Sequence, residues 1–323
     1  MGPELPPALR AAIDAELSGA SRRDLADRTA ATTAAYRAGR GSSAVIKGRD
    51  DALAYALARL PATYAACASV FGEAQDRAPA FAPASLLDAG CGPGGGSWAA
   101  TQAWPSIERV AWFDASAPFL DMAARLAEGA PDPVRDAQAQ RGDLTVGPFP
   151  RADLVMASYA LAEIASAAQA GVVQRLWDAC DGVLALVEPG TPAGYARILA
   201  ARDVLLAAGA RILAPCPHHA PCPLVAPDWC HFSVRLPRSR DHRLAKGAAA
   251  AFEDEKFAYL LAARPQVEAD IPAARILAHP RTGKPGIEFK LCGAEAVELR
   301  FVPKRDKSEH ARARRLDWGD AWP

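Results

Sequence analysis

Cys216, Cys222 and Cys230 fall within fifteen residues of one another, with five and then seven residues between successive thiols, and Cys292 lies far along the chain. Converging thiolates bind soft metals, so zinc and iron–sulfur clusters are the realistic occupants of such a set. The spacing is not that of a zinc ribbon. Pro215, Pro217, Pro221, Pro223 and Pro227 stiffen the loop that carries the first three thiols, and His218, His219 and His231 lie among them. Two other readings stay open: a zinc site of three cysteines and His231, which leaves Cys292 in the core, or buried thiols that bind no metal.

A second constellation lies earlier. Residues 85–97 read Ser-Leu-Leu-Asp-Ala-Gly-Cys-Gly-Pro-Gly-Gly-Gly-Ser, so an apolar strand runs directly into Gly90, Gly92 and Gly94, and helical sequence follows from Trp98 to Trp104. Glycines at such a turn let the backbone reverse sharply and approach a ligand, while the helix N-terminus offers unpaired N–H groups to a polar or anionic moiety. Asp88 stands just before the turn. Asp114 ends the next apolar stretch, where a carboxylate can accept hydrogen bonds from ribose hydroxyls. Both acids also suit helix caps.

These residues need a scaffold. Residues 7–75 carry helical periodicity, with Asp50 and Asp51 placed to cap a helix from Ala52 to Arg59, and read as a helical lid or cap. Beyond Pro79 and Pro83, short apolar runs alternate with helical stretches, the signature of a parallel sheet. The strands expected are Ser85 to Asp88, Arg109 to Asp114, Asp153 to Ser158 and Val183 to Glu188, with a closing helix from Tyr195 to Ala208. Lys256 to Ala263 fits strand or helix, and Gly286 to Cys292 with Ala296 to Val302 reads as a hairpin. Boundaries follow: a helical region through residue 78, a central domain over 79–304 with a Cys-rich insertion at 211–247, and a basic tail at 305–323.

Composition excludes several classes. Among 323 residues half are apolar and the formal net charge is zero, so the whole-molecule field does not draw nucleic acid and any such contact needs a local patch. No run approaches the roughly eighteen apolar residues of a membrane span, so no membrane partner is expected. Residues 1–10 show no charged-then-apolar leader, and seven cysteines, an odd number, fit a reducing compartment better than a disulfide framework. A cytoplasmic, monomeric protein is the expectation.

Asp88-Ala-Gly-Cys-Gly-Pro-Gly94 resembles the first motif of the class I S-adenosylmethionine methyltransferases. The resemblance implies a Rossmann-like α/β fold that binds S-adenosyl-L-methionine through Asp88, Gly90, Gly92 and Gly94. Asp114 then matches the ribose-binding acid, and Asp143 of Gly142-Asp143-Leu144 resembles the residue near the adenine.

A wider resemblance joins both constellations. Cys216-Pro-His-His-Ala-Pro-Cys-Pro, Asp228-Trp-Cys-His-Phe-Ser and Glu255-Lys-Phe-Ala-Tyr-Leu, with Arg59-Leu-Pro-Ala-Thr-Tyr, Ser158-Tyr-Ala-Leu-Ala-Glu and Val187-Glu-Pro-Gly-Thr-Pro, resemble the methyltransferase-like family of the mitochondrial small ribosomal subunit and its bacterial relatives, over about residues 40–303. This implies that Cys216, Cys222, Cys230 and Cys292 hold a [4Fe–4S] cluster, with zinc as the alternative. It also implies a role in small-subunit maturation in contact with its rRNA. Cys67, Cys91 and Cys180 match no ligand position.

Whether such a fold performs methyl transfer depends on the segment after the third expected strand. Base-amine methyltransferases carry a polar-Pro-Pro-aromatic run at the corresponding place; here it reads Ala-Ser-Tyr-Ala-Leu-Ala-Glu over 157–163. Tyr159 and Glu163 remain as groups that can face a methyl acceptor. Arg235, Arg238, Arg240, Arg243 and Lys246, and the tail's Lys304, Arg305, Lys307, Arg312, Arg314 and Arg315, form two basic clusters suited to phosphate. An assembly factor that binds rRNA is therefore expected ahead of an active S-adenosylmethionine-dependent rRNA methyltransferase.

Overall fold

The computed structural model describes residues 2–38 and 41–322. Four helices come first: α1 (Pro7–Glu16), α2 (Arg22–Arg37), α3 (Arg49–Ala58) and α4 (Leu60–Arg77). The Asp51 carboxylate starts α3 by accepting from the backbone N–H of Lys47 at 2.9 Å and Gly48 at 3.1 Å, so the helix begins three residues before the expected Ala52. Leu60, Val70 and Phe71 on α4 are buried, and that helix packs on the one that follows the glycine turn.

The alternating region gives β1 (Ser85–Ala89), α5 (Gly95–Ala103), β2 (Arg109–Asp114), α6 (Ala117–Ala127), α7 (Asp132–Arg135), β3 (Gln138–Arg141), β4 (Ala152–Ser158), α8 (Ser166–Ala179), β5 (Cys180–Pro189) and α9 (Pro192–Ala207). Strands β3, β2, β1, β4 and β5 lie parallel in that order, with Leu86 of β1 opposite Val110 on one side and Leu154 on the other. The chain reverses direction across the sheet between β1 and β4, and ligands bind such α/β sheets at the carboxyl ends of the strands beside that switch point. This is the Rossmann-like class I methyltransferase fold, completed by antiparallel strands beyond β5. β3 carried no sequence signal because all four of its residues face water at the sheet edge, which erases hydrophobic periodicity.

The rest comprises β6 (Arg211–Ala214), β7 (Phe232–Pro237), α10 (Arg240–Lys246), β8 (Phe252–Ala263), β9 (Ala274–Ile276), β10 (Arg281–Thr282), β11 (Gly286–Cys292), β12 (Val297–Pro303), α11 (Lys307–Ala313) and β13 (Ala321–Trp322). The segment left open between strand and helix lies within β8, whose second half is buried on both faces and so shows no alternation. β8 runs antiparallel to β5, and along its other edge β6 faces Leu261–Ala263 while β7 faces Phe252–Phe257. Thus β6 and β7 lie end to end, and the Cys-rich loop is an excursion from the gap between them. The expected hairpin forms as β11 and β12, which join β9, β10 and β13 in a second sheet with Ile276, Ile287, Phe289, Leu291 and Val302 at its core. Within the basic tail, α11 and β13 pack on this sheet. Cys180 opens β5, directly after the last residue of α8.

Candidate metal centre and cofactor crevice

The excursion between β6 and β7 places Cys216, Cys222 and Cys230 around one cavity beside α9 and β8, and Cys292 closes it from the second sheet. Two contacts bring that sheet to the loop. Cys292 pairs in register with Arg275 of β9, and the Arg275 guanidinium donates to the Pro215 carbonyl at 3.1 Å. Two residues before Cys292 on the same strand, Lys290 is ion-paired with Asp228 of the loop. None of the four thiols is in a disulfide. Burial pushes the Cys216 and Cys230 thiols up, and that of Cys292 up to about 12, with the neighbouring sulfurs adding to the effect. These three thiols are therefore disfavoured as bare thiolates and need compensating positive charge to ionise.

The histidines separate cleanly from this set. His231 is stacked on Trp229 and lies edge-on to Trp318, each with ring centroids 5.0 Å apart, and does not line the cavity. His219 Nε2 accepts from the Ile212 N–H, tying the loop back to β6. Only His218 comes near, its Nε2 3.9 Å from the Cys292 sulfur. The cavity wall thus contains Cys292 in place of His231. Among the described residues, no three Cys, His, Asp or Glu side chains are drawn together closely enough to hold a single metal ion.

Residues that sequence reasoning missed complete the wall. The Tyr195 hydroxyl lies 3.1 Å from the Cys222 sulfur, and Arg202, also on α9, is 2 % exposed. Arg202 donates to the carbonyls of His218 and Ala220 at 3.0 and 2.7 Å and also hydrogen-bonds to Cys216. The faint hydrophobic asymmetry of α9 gave no sign that an arginine pointed inward. Cys67 is buried within α4 and Cys91 within the glycine turn, away from this cavity.

At the switch point the glycines do what their spacing implied. Gly90, Gly92 and Gly94 have φ of 74°, 53° and 82°, the left-handed region that glycine adopts without strain. A Cβ on Gly90 would sit 2.7 Å from that of Ala160, so the segment after β4 packs directly on the turn. Asp114 accepts from the Gly92 N–H and the Ser116 N–H, both at 2.8 Å, which fixes the turn against β2 and leaves lone pairs for a hydroxyl. Asp88 is fully buried behind the turn, where its Oδ2 accepts from the Ser97 hydroxyl at 2.7 Å and its Oδ1 has no partner. Burial raises that carboxyl to about 6. Asp143 is exposed beyond β3 and accepts from the Thr145 N–H at 2.7 Å. Gly90, Asp114 and Asp143 therefore stand at the ends of adjacent strands, with Asp88 behind them.

The two candidate acceptor-side groups are already engaged. Tyr159 is the one non-glycine residue among those described with positive φ, at 58°, and its hydroxyl donates to Glu255 at 2.9 Å. Arg59 approaches the same carboxylate at 3.6 Å. Glu163 accepts from the Ser42 N–H and hydroxyl at 3.0 and 2.6 Å and from the Tyr36 hydroxyl at 3.2 Å. The helical extension is thus fastened over the carboxyl end of β4, as a lid would be.

The basic clusters differ. Arg235 pairs with Asp254, while Arg238 and Lys246 share Glu253, so three of the five cations of the first cluster are ion-paired within the protein. Lys304, Arg305, Lys307, Arg312, Arg314 and Arg315 are all exposed, and none has an ion-pair partner among the described residues.

The family model described as mitochondrial small ribosomal subunit Rsm22 matches residues 49–323. The chain belongs to this family. Within it, the human ribosome assembly protein METTL17, mitochondrial, is 31 % identical over 292 residues, covering 84 % of this chain and 62 % of the human protein. The chain therefore spans under two thirds of that curated relative's length. Among solved structures, magnesium protoporphyrin IX methyltransferase from Synechocystis PCC 6803 with bound SAM is 17 % identical with a TM-score of 0.41, over 63 % of this chain and 80 % of that one. The YcgJ protein of Bacillus subtilis is 14 % identical with a TM-score of 0.38, over 62 % and 97 %.

Membership of the Rsm22 family overturns the expected cytoplasmic location, because both the family and its human relative are described as mitochondrial. Cysteine count and net charge do not distinguish one compartment from another. No described helix is long and apolar enough to cross a membrane.

Proposed function

We propose that this Rsm22-family chain is an assembly factor of the small ribosomal subunit, with a methyltransferase-like body, an iron–sulfur centre and rRNA contacts on its C-terminal cations. The observation that carries the reading is the meeting of all four cysteines, from an edge-strand loop and from a separate sheet, around one cavity. Cys216, Cys222, Cys230 and Cys292 would hold the centre. A tetrahedral zinc site needs its sulfurs about 3.8 Å apart, from Zn–S bonds of about 2.3 Å. A four-iron cluster likewise takes four thiolates, the number that lines this cavity. The centre's contribution is to staple the loop to β11, so that the second sheet and the basic residues after it keep a fixed geometry.

The crevice of Gly90, Gly92, Asp114 and Asp143 suits S-adenosyl-L-methionine, and the unpartnered Asp88 oxygen is a buried acceptor available behind it. METTL17's description as a ribosome assembly protein supports placing the function in assembly. Methyl transfer is the second reading. It is disfavoured because Tyr159 and Glu163 are both held by the protein's own groups.

Anaerobic purification should give a brown protein with about four irons and four sulfides per chain. A colourless protein that releases one zinc overturns the cluster. Binding to small-subunit rRNA across a salt series should weaken when Lys304, Arg305 and Lys307 become alanine, with the log–log salt slope reduced by roughly 2–3 if these residues contact phosphates. An unchanged slope removes the tail from the interface. Calorimetry with S-adenosylmethionine, then a methylation assay on immature subunits, separates the two readings, the expectation being binding without transfer.

A further inference from the structure

Two arginines stand beside the four cysteines, and their charge is not balanced by carboxylates. Arg202 is 2 % exposed and Arg275 is 1 % exposed, and both line the cavity that contains the sulfurs. Arg202 has no carboxylate partner among the described residues; its donors go to the carbonyls of His218 and Ala220 and to the Cys216 sulfur, and its Nε has no partner. Arg275 is paired with Glu73, but Glu73 also pairs with Arg77 at 3.2 Å, so one carboxylate serves two guanidiniums. Arg202 and Arg275 thus carry two positive charges at the cavity against the single carboxylate of Glu73, which Arg77 also draws on. Burying an uncompensated guanidinium costs several kcal/mol, and arginine cannot escape that cost by losing its proton.

The anion that would balance them is within reach. Neutral thiols leave the surplus standing, whereas four thiolates around a doubly positive inorganic core form a dianion that compensates it. We infer that Arg202 and Arg275 are the counter-charges of the centre held by Cys216, Cys222, Cys230 and Cys292, and that they set its reduction potential. The inference rests on the proposed iron–sulfur reading. Reduction adds an electron to an already anionic site, so nearby buried positive charge favours the reduced form and raises the potential. Arg275 also gives the charge a structural reach, because it donates to the carbonyls of Pro215 in the loop and Gly319 near the end of the chain while pairing with Glu73 of the helical extension.

The test uses the full chain, purified anaerobically, with iron and sulfide counted and the midpoint potential measured by dye-mediated titration. Arg202→Met should lower the midpoint by at least about 59 mV, a tenfold change in the one-electron equilibrium. Arg202→Lys, which keeps the charge, should stay much closer to the parent. Because Arg202 also holds two loop carbonyls, Leu199→Glu is the companion variant. It places a carboxylate one helical turn from Arg202, on the cavity wall that Leu199 also lines, and by opposing the arginine's charge there should shift the potential in the same direction. An iron-loaded parent whose Arg202→Met and Leu199→Glu variants keep its potential overturns the counter-charge role and leaves the cluster standing. A parent that holds no iron and sulfide overturns both.

Discussion

The glycine crevice and the cysteine cavity belong to one molecule but are built in opposite ways. The crevice is local: Gly90, Gly92 and Gly94 follow one strand, and the acid that fixes their turn, Asp114, ends the strand next to it. Neighbouring parallel strands bring these parts together wherever the sheet forms. The cavity joins a loop inserted into an edge strand, a helix and a strand of a different sheet, and it depends on Arg275 and Lys290 to hold those pieces in register. A local site tolerates disturbance elsewhere in the chain, whereas a composite site fails when any one piece is withdrawn.

That contrast can be broken most directly at Cys292. Cys292→Ser should abolish the iron chromophore, and with it the staple between the loop and the second sheet, while leaving S-adenosylmethionine binding within about twofold of the parent. Loss of both together, measured by absorption and calorimetry, would show that the two sites are not independent.

The next effect concerns Asp88. Its folded carboxyl titrates near 6, above the ordinary value of 3.8, because it is buried. The folded state therefore holds a proton that the unfolded chain has already released, and stability falls as pH rises from about 4 to 6. The two-unit shift corresponds to roughly 3 kcal/mol. Asp88→Asn should flatten this part of the pH–stability curve and make the protein more stable above pH 6, as read by urea unfolding. A curve unchanged by the substitution would show that Asp88 is not the titrating group.

Gly90→Ala comes next. The alanine would occupy φ of 74° and meet Ala160 at 2.7 Å, costing about 1–3 kcal/mol and weakening S-adenosylmethionine binding while iron content stays at the parent level. The smallest effect is expected at Glu163→Gln, which weakens the ties to Ser42 and Tyr36. It should destabilise the protein by about 1 kcal/mol, with faster hydrogen exchange confined to the helical extension.

Much of this is legible in the sequence. Arg109 to Asp114 is a strand with the expected bounds, the hairpin forms with Cys292 opposite Val297, and the glycines take positive φ. These features depend on near neighbours, either through backbone sterics at glycine or through alternation along one strand. The misses have equally specific causes. β3 is exposed along its whole length, and Cys180 sits where a helix passes into a strand. The two basic clusters looked alike in sequence and differ only because Asp254 and Glu253 of β8 lie opposite the first.

Residue type and order thus determined the strand–glycine–helix unit, the alternation that builds the sheet and the inventory of thiols, because each is governed by local conformational limits or by hydrophobic period. Tertiary structure brought Cys292, which the family resemblance had implied, to the cavity that the other three cysteines line and left His231 outside it; it alone decided that Arg202 and Arg275 are buried beside them and that Tyr159 and Glu163 are occupied. Those outcomes depend on contacts between segments tens to hundreds of residues apart, fixed when whole layers pack and ion pairs such as Arg275–Glu73 close across them.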